Sequence, residues 1–350
     1  MTSFKLRLTM MKKKIFLLLP LICWGVSALS QVSFKVEGFS DKYYGKVYIS
    51  DTSEVTSPGS VTIYDKKSNK ELFGVDADAL LCDLHDGKLV ANISERPYGE
   101  FSTILYEDYN FDGKKDFALM NGQNSCYNGP SFSIYLATDK GFCYSPEFSS
   151  LAEDYCGMFG VDAEHRTLHT MVKDGCCWHE FTTFVVENNL PKAVEICEYD
   201  QRDRPFEKYT EQKWDGKEMK KTTELTIDLE EEGLRKVLSF HVDKGNKDII
   251  LFSLNDGTLY YTVLKADNTV EFYYPLETEY QAPDFTYHPN EMALSFKNKD
   301  AVYKIYDDRQ RIDIEITTGG KKYIWHGNIK SRKGSLEKLL KPRLDNVAIK

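Results

Sequence analysis

Short runs in which apolar and polar side chains alternate recur along most of the chain, and they limit its fold more than any other feature. In "RIDIEIT" the apolar Ile312, Ile314 and Ile316 alternate with Asp313 and Glu315, which is the period of two of a half-buried strand. The runs "SVTIYD", "FSTILYED", "SFSIYLAT" and "TLYYTVL" are also short, rich in β-branched and aromatic residues, and bounded by turn formers. These patterns predict a protein made of strands.

Helical patterns are rare in this sequence. Residues 334–341, "GSLEKLLK", are the only stretch that convincingly predicts a short helix, with Ser335 as its N-cap. Parallel strands need long crossover connections, which are usually helices, and the chain has too few of them. We therefore predict an all-β fold of mainly antiparallel sheets with few short helices.

The distribution of cysteines divides the chain into two parts. Apart from Cys23, every cysteine falls between residues 82 and 197, and residues 236–350 contain none. A stretch rich in charged residues separates the two parts, and it contains no Pro/Gly/Ser linker. We predict two closely packed β domains, one with the cysteines over residues 31–232 and a cysteine-free one over residues 236–350.

Residues 1–30 have the pattern of a signal peptide. Three lysines at 12–14 precede an apolar run over residues 15–26, and "SALS" provides a cleavage site near residues 30–31. The run is short for a membrane span, and Ile22 rather than a small residue precedes Cys23, so neither a transmembrane segment nor a lipid anchor is expected. We expect a periplasmic or secreted protein.

The net charge of the chain argues against one class of partner. Residues 1–30 hold five basic residues and no acidic residue, so their removal changes the formal net charge from −9 to −14. A chain this acidic repels nucleic-acid phosphates, and we expect no nucleic-acid partner. The charge suits a basic protein partner or simply keeps the protein soluble, and the sequence leaves both explanations open.

An exported protein with this many cysteines is expected to form disulfides. Seven cysteines remain after residue 30, an odd number, so at least one thiol is free or pairs with another molecule. The connectivity does not follow from the sequence. We expect the adjacent Cys176 and Cys177 to bond to other cysteines rather than to each other.

The segment "DYNFDGKKD" has the spacing of a calcium loop. Asp108, Asn110 and Asp112 supply side-chain oxygens at alternate positions, Lys114 supplies its backbone carbonyl, and Asp116 supplies a further carboxylate or holds a water. A glycine after the third ligand allows the sharp turn. All of these donors are hard oxygens, which suit Ca²⁺ better than a soft metal.

The loop is not an EF-hand. Its twelfth position is Leu119, where an EF-hand has a bidentate Glu, and strand patterns rather than helices flank it. We predict a shorter inter-strand calcium loop, with Glu107 as an additional ligand candidate. An oxygen set this full predicts a structural rather than a catalytic ion. The alternative is an acidic hairpin turn without a metal.

Two other groups of residues are candidate sites. A hairpin could bring His165, His169, Cys176, Cys177 and His179 together as a zinc site, but their spacing fits no standard ligand pair, and disulfides with surface histidines are the alternative. The segment "NGQNSCYNGPSF" could present Ser125 or Cys126 as a nucleophile, but it also has the composition of an ordinary inter-strand loop, and the chain has no G-x-S-x-G motif. We assign no catalytic residue.

The segments "LYEDYNFDGKKDFAL" and "SFSIYLATDKGF" carry a resemblance to a known family. Residues 80–200 resemble the calcium-binding periplasmic immunity proteins of type IV secretion systems, which inhibit peptidoglycan hydrolases. Asp108, Asn110, Asp112 and Asp116 match the calcium motif of that family position by position. The second part of the chain is similar to small β domains of uncharacterised bacterial envelope proteins, regarded as binding or inhibitor modules.

The resemblance implies an exported, non-enzymatic binding protein with a structural calcium ion. It implies a protein partner, and a basic, lysozyme-like hydrolase fits the acidic charge. Two other functions stay open from the residues alone: an envelope hydrolase that acts on glycan or peptide, and a structural envelope protein.

Overall fold

The structure is a computed structural model, and it describes residues 32–51, 54, 56–81, 102–276, 283–308, 310–341 and 343–350. The predicted signal peptide and Cys82 lie outside these residues.

The first part of the chain forms fourteen strands and one short α-helix within the described residues. Its elements are β1 (Val32–Val36), β2 (Tyr43–Ile49), β3 (Thr56–Asp65), β4 (Glu71–Leu81), β5 (Ile104–Glu107), β6 (Asp116–Ser125), β7 (Gly129–Thr138), β8 (Gly141–Tyr144), α1 (Pro146–Leu151), β9 (Gly160–Asp162), β10 (Thr167–Asp174), β11 (Trp178–Glu187), β12 (Leu190–Asp200), β13 (Phe206–Trp214) and β14 (Met219–Ile227).

The second part forms eleven strands within the described residues. They are β15 (Arg235–Val242), β16 (Lys247–Ser253), β17 (Leu259–Leu264), β18 (Val270–Tyr274), β19 (Phe285–His288), β20 (Ala293–Asn298), β21 (Ala301–Asp307), β22 (Ile312–Thr318), β23 (Lys321–His326), β24 (Lys333–Gly334) and β25 (Val347–Ile349). Single turns of 3-10 helix lie at Cys126–Asn128, Pro289–Glu291 and Ile329–Ser331, and a longer one at Leu336–Leu340.

The described strands form five sheets, which we number I to V in chain order. Sheet I contains β1–β4, sheet II contains β5–β8 and sheet III contains β9–β14, each with neighbouring strands in sequence order. Sheet IV has the order β18-β17-β16-β15-β24, and sheet V has the order β23-β22-β21-β20-β19-β25. All pairings are antiparallel except the one between β19 and β25. The predicted all-β fold of mainly antiparallel sheets is confirmed.

Tight turns explain why consecutive strands pair. The turn between β11 and β12 places Asn188 and Asn189 in the left-handed region, with φ of 55° and 59°. Two successive left-handed residues match the twist of a two-residue hairpin, and Asn tolerates this conformation better than most residues.

Each of two short helices begins after a serine that caps its first turn. At the predicted helix over 334–341, the Ser335 hydroxyl accepts a hydrogen bond from the Glu337 amide at 3.2 Å, but the turns that follow are 3-10 rather than α-helical. Helix α1 was not predicted, although Ser145 followed by Pro146 is a helix-start signal; the Ser145 hydroxyl accepts from the Phe148 amide at 3.4 Å.

Three clusters of buried side chains hold the sheets together. The first joins sheets I, II and III with α1, the second fills the space between sheets IV and V, and the third lies between the end of sheet III and the outer face of sheet IV. Representative members are Val47, Ile63, Phe117, Ile134, Phe148 and Phe184 for the first, Leu238, Leu251, Tyr261, Phe285, Leu294 and Ile314 for the second, and Phe206, Ile250, Phe252 and Leu264 for the third.

The predicted division of the chain falls in the connection between β14, which ends at Ile227, and β15, which begins at Arg235. The third cluster packs side chains from both sides of this connection against each other. That the two parts are separate domains stays a prediction. Within the described residues, no helix combines the length and apolar character needed to cross a membrane.

Candidate functional site

The predicted calcium loop connects β5 to β6. These strands pair from Ile104 opposite Leu119 to Glu107 opposite Asp116, so residues 108–115 close the end of a hairpin. Phe111 and Gly113 both adopt left-handed backbone, with φ of 59° and 87°. No atom lies near the position of a Gly113 Cβ, so the backbone conformation rather than lack of space favours glycine there.

The side-chain oxygens of the first half of the loop turn toward its own backbone. The Asp108 carboxylate accepts hydrogen bonds from the amides of Asp112 at 3.1 Å and Gly113 at 2.8 Å. The Asn110 Oδ1 accepts from the Asp112 amide at 3.3 Å, and the Asp112 carboxylate accepts from the Lys114 amide at 2.8 Å. The loop is therefore wound around its own oxygen atoms, each of which can accept a further bond.

Asp116 is completely buried at the start of β6. Its two carboxylate oxygens accept hydrogen bonds from the Tyr109 amide at 2.8 Å and from the Ala137 amide of β7 at 2.7 Å. Burial raises the pKa of Asp116 to about 6, and the carboxylates of Asp108 and Asp112 add to the rise, although the two amide bonds oppose it. Burial is thus the main cause of the raised pKa, and the negative charges of Asp108 and Asp112 are a smaller one.

The Lys114 side chain does not neutralise the carboxylates from inside the loop. Lys114 is exposed, and its ammonium forms an ion pair at 2.8 Å with Asp139 in the turn between β7 and β8. The side chain therefore lies outside the ring of oxygens. Lys114 could coordinate an ion only through its backbone carbonyl.

The loop is anchored to the neighbouring sheet III. The Asn110 Nδ2 donates to the Asn189 Oδ1 at 3.2 Å, in the turn between β11 and β12. The Arg166 guanidinium, in the turn between β9 and β10, donates to the Phe111 carbonyl at 2.8 Å. The Tyr109 ring is buried and packs edge-to-face on Phe159 at 5.4 Å. One loop thus connects sheet II to two turns of sheet III.

The structure brings all five predicted ligand residues into one loop but does not close a cage of three carboxylates. Oxygens bound directly to one Ca²⁺ lie about 2.3–2.6 Å from the ion and so within about 5 Å of one another. Asp108, Asp112 and Asp116 do not form a group of that kind among the described residues. Since both Asp116 oxygens hold backbone amides, the fit is best for Asp108, Asn110 and Asp112, with Asp116 shaping the loop.

A different cluster, which the sequence did not reveal, does bring three ligand atoms within 4.8 Å: Glu195, Cys197 and Glu211. Cys197 on β12 lies opposite Glu211 on β13. The Glu195 carboxylate already pairs with the Lys213 ammonium at 2.8 Å, and the Tyr209 hydroxyl donates to the Cys197 sulfur at 3.3 Å. Glu195 and Cys197 are two residues apart on β12 and so lie on one face of the strand, but only the strand register showed that Glu211 lies beside them.

The expectation for the adjacent cysteines was wrong. Cys176 and Cys177 form a disulfide with each other, and Cys126 bonds to Cys156. The remaining described cysteines, Cys143 and Cys197, are free thiols. The adjacent pair lies in the turn between β10 and β11, where the chain reverses at Gly175.

The structure does not assemble the alternative zinc site. Both thiolates are used in the disulfide. His165 is bonded to Asp162 at 2.7 Å, His169 contacts the hydroxyls of Thr167 and Thr183, and the His179 ring stacks on Phe181. The three histidines therefore face different partners.

A shallow concavity of about 300 Å³ lies on the outer face of sheet III. Its lining residues are Cys177, His179, Phe181, Tyr199 and Gln201. It lies at the start of β11, whereas the calcium loop contacts the turn after the end of that strand. About ten residues of extended chain separate the two positions, which corresponds to roughly 30 Å.

The structure also argues against the remaining alternative, a nucleophile at residues 125–126. The Cys126 sulfur is oxidised in its disulfide, so no thiol is present there. The Ser125 hydroxyl is buried and has no hydrogen-bond partner among the described residues, so none of them contacts it as a base.

Comparisons with known proteins give weak structural likenesses. No family model and no curated protein matches the chain. A Xanthomonas type IV secretion system related protein is similar, with a TM-score of 0.44 and 22% identity over 55% of this chain and 93% of that one. A putative 6-phosphogluconolactonase from Bacteroides uniformis has a TM-score of 0.22 and 9% identity over 86% and 87% of the two chains. TolB from Acinetobacter baumannii has a TM-score of 0.19 and 10% identity over 83% and 65%. These values place the chain in no family.

Proposed function

We propose that the protein is an exported, non-enzymatic binding protein whose 108–116 loop holds one structural Ca²⁺, and that it inhibits a basic, lysozyme-like peptidoglycan hydrolase. The observation that carries the calcium proposal is the winding of the loop around the oxygens of Asp108, Asn110 and Asp112. The Lys114 ammonium is held outside by Asp139. A hard cation inside the loop would offset the negative charges of the Asp108 and Asp112 carboxylates.

The ion would have a structural role at this position. Asn110 and Phe111 are the residues that contact sheet III, and they lie between the ligands Asp108 and Asp112. A bound ion would fix the conformation of this segment and hence the attachment of sheet II to sheet III. The separation of the loop from the concavity on sheet III supports a structural role rather than a catalytic one.

Calcium titration of the protein after EDTA treatment tests the site. Isothermal titration is expected to show about one site per chain in the wild type and none in Asp112→Ala, since Asp112 is exposed and its loss removes a ligand without a core cavity. Lys115→Ala is the matched control, because Lys115 is exposed in the same loop and is not one of the predicted ligands. Wild type without a calcium site would refute the proposal, and so would equal binding by Asp112→Ala.

The partner proposal rests on charge and on the resemblance of residues 80–200. A formal charge of −14 after removal of residues 1–30 favours encounter with a cationic protein, because opposite fields speed association. The purified protein is expected to inhibit at least one basic peptidoglycan hydrolase, with an affinity that falls steeply as salt is added. Full activity of a panel of such hydrolases at low salt would reject this function, whatever the calcium result.

A further inference from the structure

We propose that the outer face of sheet III is the surface that binds the basic partner, through cationic side chains seated on exposed aromatic rings. This surface, the aromatic–acidic face, consists of Phe181, Tyr199, Tyr209, Glu211 and Glu224. The proposal deepens the proposed function and rests on it for the identity of the partner as a hydrolase, but not for the chemistry that the surface recognises.

Strand register puts these five residues on one side of the sheet. Tyr199 lies opposite Tyr209, and Tyr209 lies opposite Glu224 on the next strand. Phe181 on β11 and Glu211 on β13 both lie opposite Cys197 on β12, so these two residues are on the same face of the sheet. Across β10–β14 the sheet is about 19 Å wide, which is enough for a protein segment to lie on it.

The two sides of sheet III differ in the way a one-sided binding surface requires. On the inner side Thr182, Phe184 and Thr210 are 4%, 6% and 1% exposed. On the outer side Phe181 and Tyr199 are 44% and 47% exposed. Large aromatic side chains that stay this open on the middle strands of a sheet form a contiguous patch rather than scattered exposures.

The rings form a connected row. The Phe181 and Tyr199 rings meet edge-to-face with centroids 6.0 Å apart, and those of Tyr199 and Tyr209 are 4.9 Å apart. The Tyr209 hydroxyl is held by the Cys197 sulfur at 3.3 Å. The row is therefore ordered before any partner arrives, which reduces the entropy lost on binding.

The chain's own cations cover its aromatic rings at other surface positions but not here. Lys46 lies over Tyr64 and Lys192 over Trp214, at 4.8 and 4.5 Å. Among the described residues, no lysine or arginine lies over the rings of Phe181, Tyr199 or Tyr209. A cation over an aromatic face is favourable, and on this face it must come from another molecule.

The acidic residues of the face also favour a basic partner. Three lysines on the same side of the sheet are already engaged: Lys213 pairs with Glu195, Lys220 pairs with Glu218, and Lys173, which lies opposite His179, covers the Tyr127 ring. Glu211 and Glu224 form no ion pair with any described residue. Open rings next to unpaired carboxylates complement arginine and lysine side chains. A second copy of this chain would oppose its carboxylates with the same carboxylates, which disfavours a symmetric dimer through this face.

Three double variants test the surface while leaving the inner side of the sheet untouched. Phe181→Ala with Tyr199→Ala removes the most exposed rings, and Glu211→Gln with Glu224→Gln removes the unpaired charges. The matched control combines Tyr323→Ala with Glu232→Gln, because Tyr323 on β23 is also 47% exposed and Glu232 is exposed without an ion pair. Circular dichroism and melting temperature establish that each variant is folded.

The probes separate this inference from the proposed function. Binding is measured for a panel of basic peptidoglycan hydrolases, for hexa-arginine peptide and for chitohexaose, with light scattering to detect dimers. We expect the ring variant to weaken binding of the basic probes at least tenfold, the acid variant to reduce the association rate and the salt dependence, and the control to change neither.

Each other outcome is decisive. Hydrolase binding that all three variants retain would overturn the inference and leave the proposed function standing. Binding of hexa-arginine alone, lost in the ring variant, would keep the surface and reject a hydrolase partner. Binding of neither basic probe, binding of chitohexaose alone, or a dimer that the ring variant dissolves would overturn the inference.

Discussion

Two completely buried carboxylates show how differently one residue type is used in this molecule. Asp116 gives each of its oxygens to a backbone amide, from Tyr109 and Ala137. Asp307 at the end of β21 accepts from the Leu336 amide at 2.8 Å, and its other oxygen lies 3.0 Å from the Arg332 Nε in a poorly aligned ion pair. Asp307 therefore holds the start of the 3-10 helix against sheet V.

Removal of the Asp307 carboxylate is expected to be costly. Asp307→Ala leaves the Leu336 amide without its acceptor and the partly buried Arg332 without its counter-charge. A buried hydrogen-bond donor left without its acceptor typically costs about 1–3 kcal/mol of unfolding free energy. Urea denaturation at pH 7 measures the loss. Asp243→Ala, at an exposed carboxylate in the turn between β15 and β16, is the control and is expected to change stability by less than about 1 kcal/mol.

The same residue makes stability depend on pH. Burial raises the pKa of Asp307 above its ordinary value, although the Leu336 amide and Arg332 oppose the rise. The folded state then binds this proton more tightly than the unfolded state. The contribution to stability is present below the unfolded pKa and is lost as pH rises through the folded pKa. Unfolding curves from pH 3 upward should show this loss in wild type and not in Asp307→Asn; identical pH profiles would contradict it.

At the scale of elements, the two disulfides are placed where they have different effects on the unfolded chain. Cys126–Cys156 joins residues 30 apart and ties the turn after β6 to the segment that follows α1. Cys176–Cys177 joins neighbours and only shapes the turn between β10 and β11. A cross-link restricts the unfolded chain more when it closes a longer loop.

The two pairs therefore have different predicted contributions to stability. Cys126→Ser with Cys156→Ser is expected to lower the free energy of unfolding by about 2–4 kcal/mol, the usual range for a loop of this size. Cys176→Ser with Cys177→Ser serves as its counterpart and is expected to change it by less than about 1 kcal/mol, since a one-residue separation closes almost no loop. Guanidinium denaturation without reductant measures both, and equal losses would count against this explanation.

Local sequence predicted the strands and the Ser335 cap. It did not predict features that join distant segments of the chain. Ser335 was identified because a capping hydroxyl acts within three residues. The pairing of Cys176 with Cys177 was not, because it depends on which thiols the hairpin registers bring together. The cluster of Glu195, Cys197 and Glu211 joins two strands, so no single segment contained it.

At the scale of the whole molecule, a small aromatic cluster connects the two halves of the chain. Phe206 at the start of β13 is 6% exposed and contacts the rings of Tyr273 at 4.2 Å, Tyr260 at 5.7 Å and Phe252 at 6.1 Å. The last three belong to sheet IV, and Phe206 belongs to sheet III. This contact links the stability of the two predicted domains.

Calorimetry of Phe206→Ala tests that link. Wild type is expected to unfold in one transition, and the variant is expected to lose about 3–5 kcal/mol and to separate into two transitions, because the cavity lies between the halves. Phe285→Ala, in the core between sheets IV and V, is the comparison and should destabilise the second half without removing the contact with the first. Two transitions already in wild type would show that the cluster does not couple the halves.

Features that depend on neighbouring residues could be predicted from the sequence. Alternation in runs such as 312–316 specified strands, because side-chain direction along a strand has a period of two. The spacing of Asp108, Asn110 and Asp112 determined that their oxygens could gather in one loop. Tertiary contacts add the anchoring of this loop by Asn189 and Arg166. They also add the open face on which Phe181, Tyr199 and Tyr209 lie beside Glu211. Such contacts depend on strand register and sheet packing, which no short segment encodes.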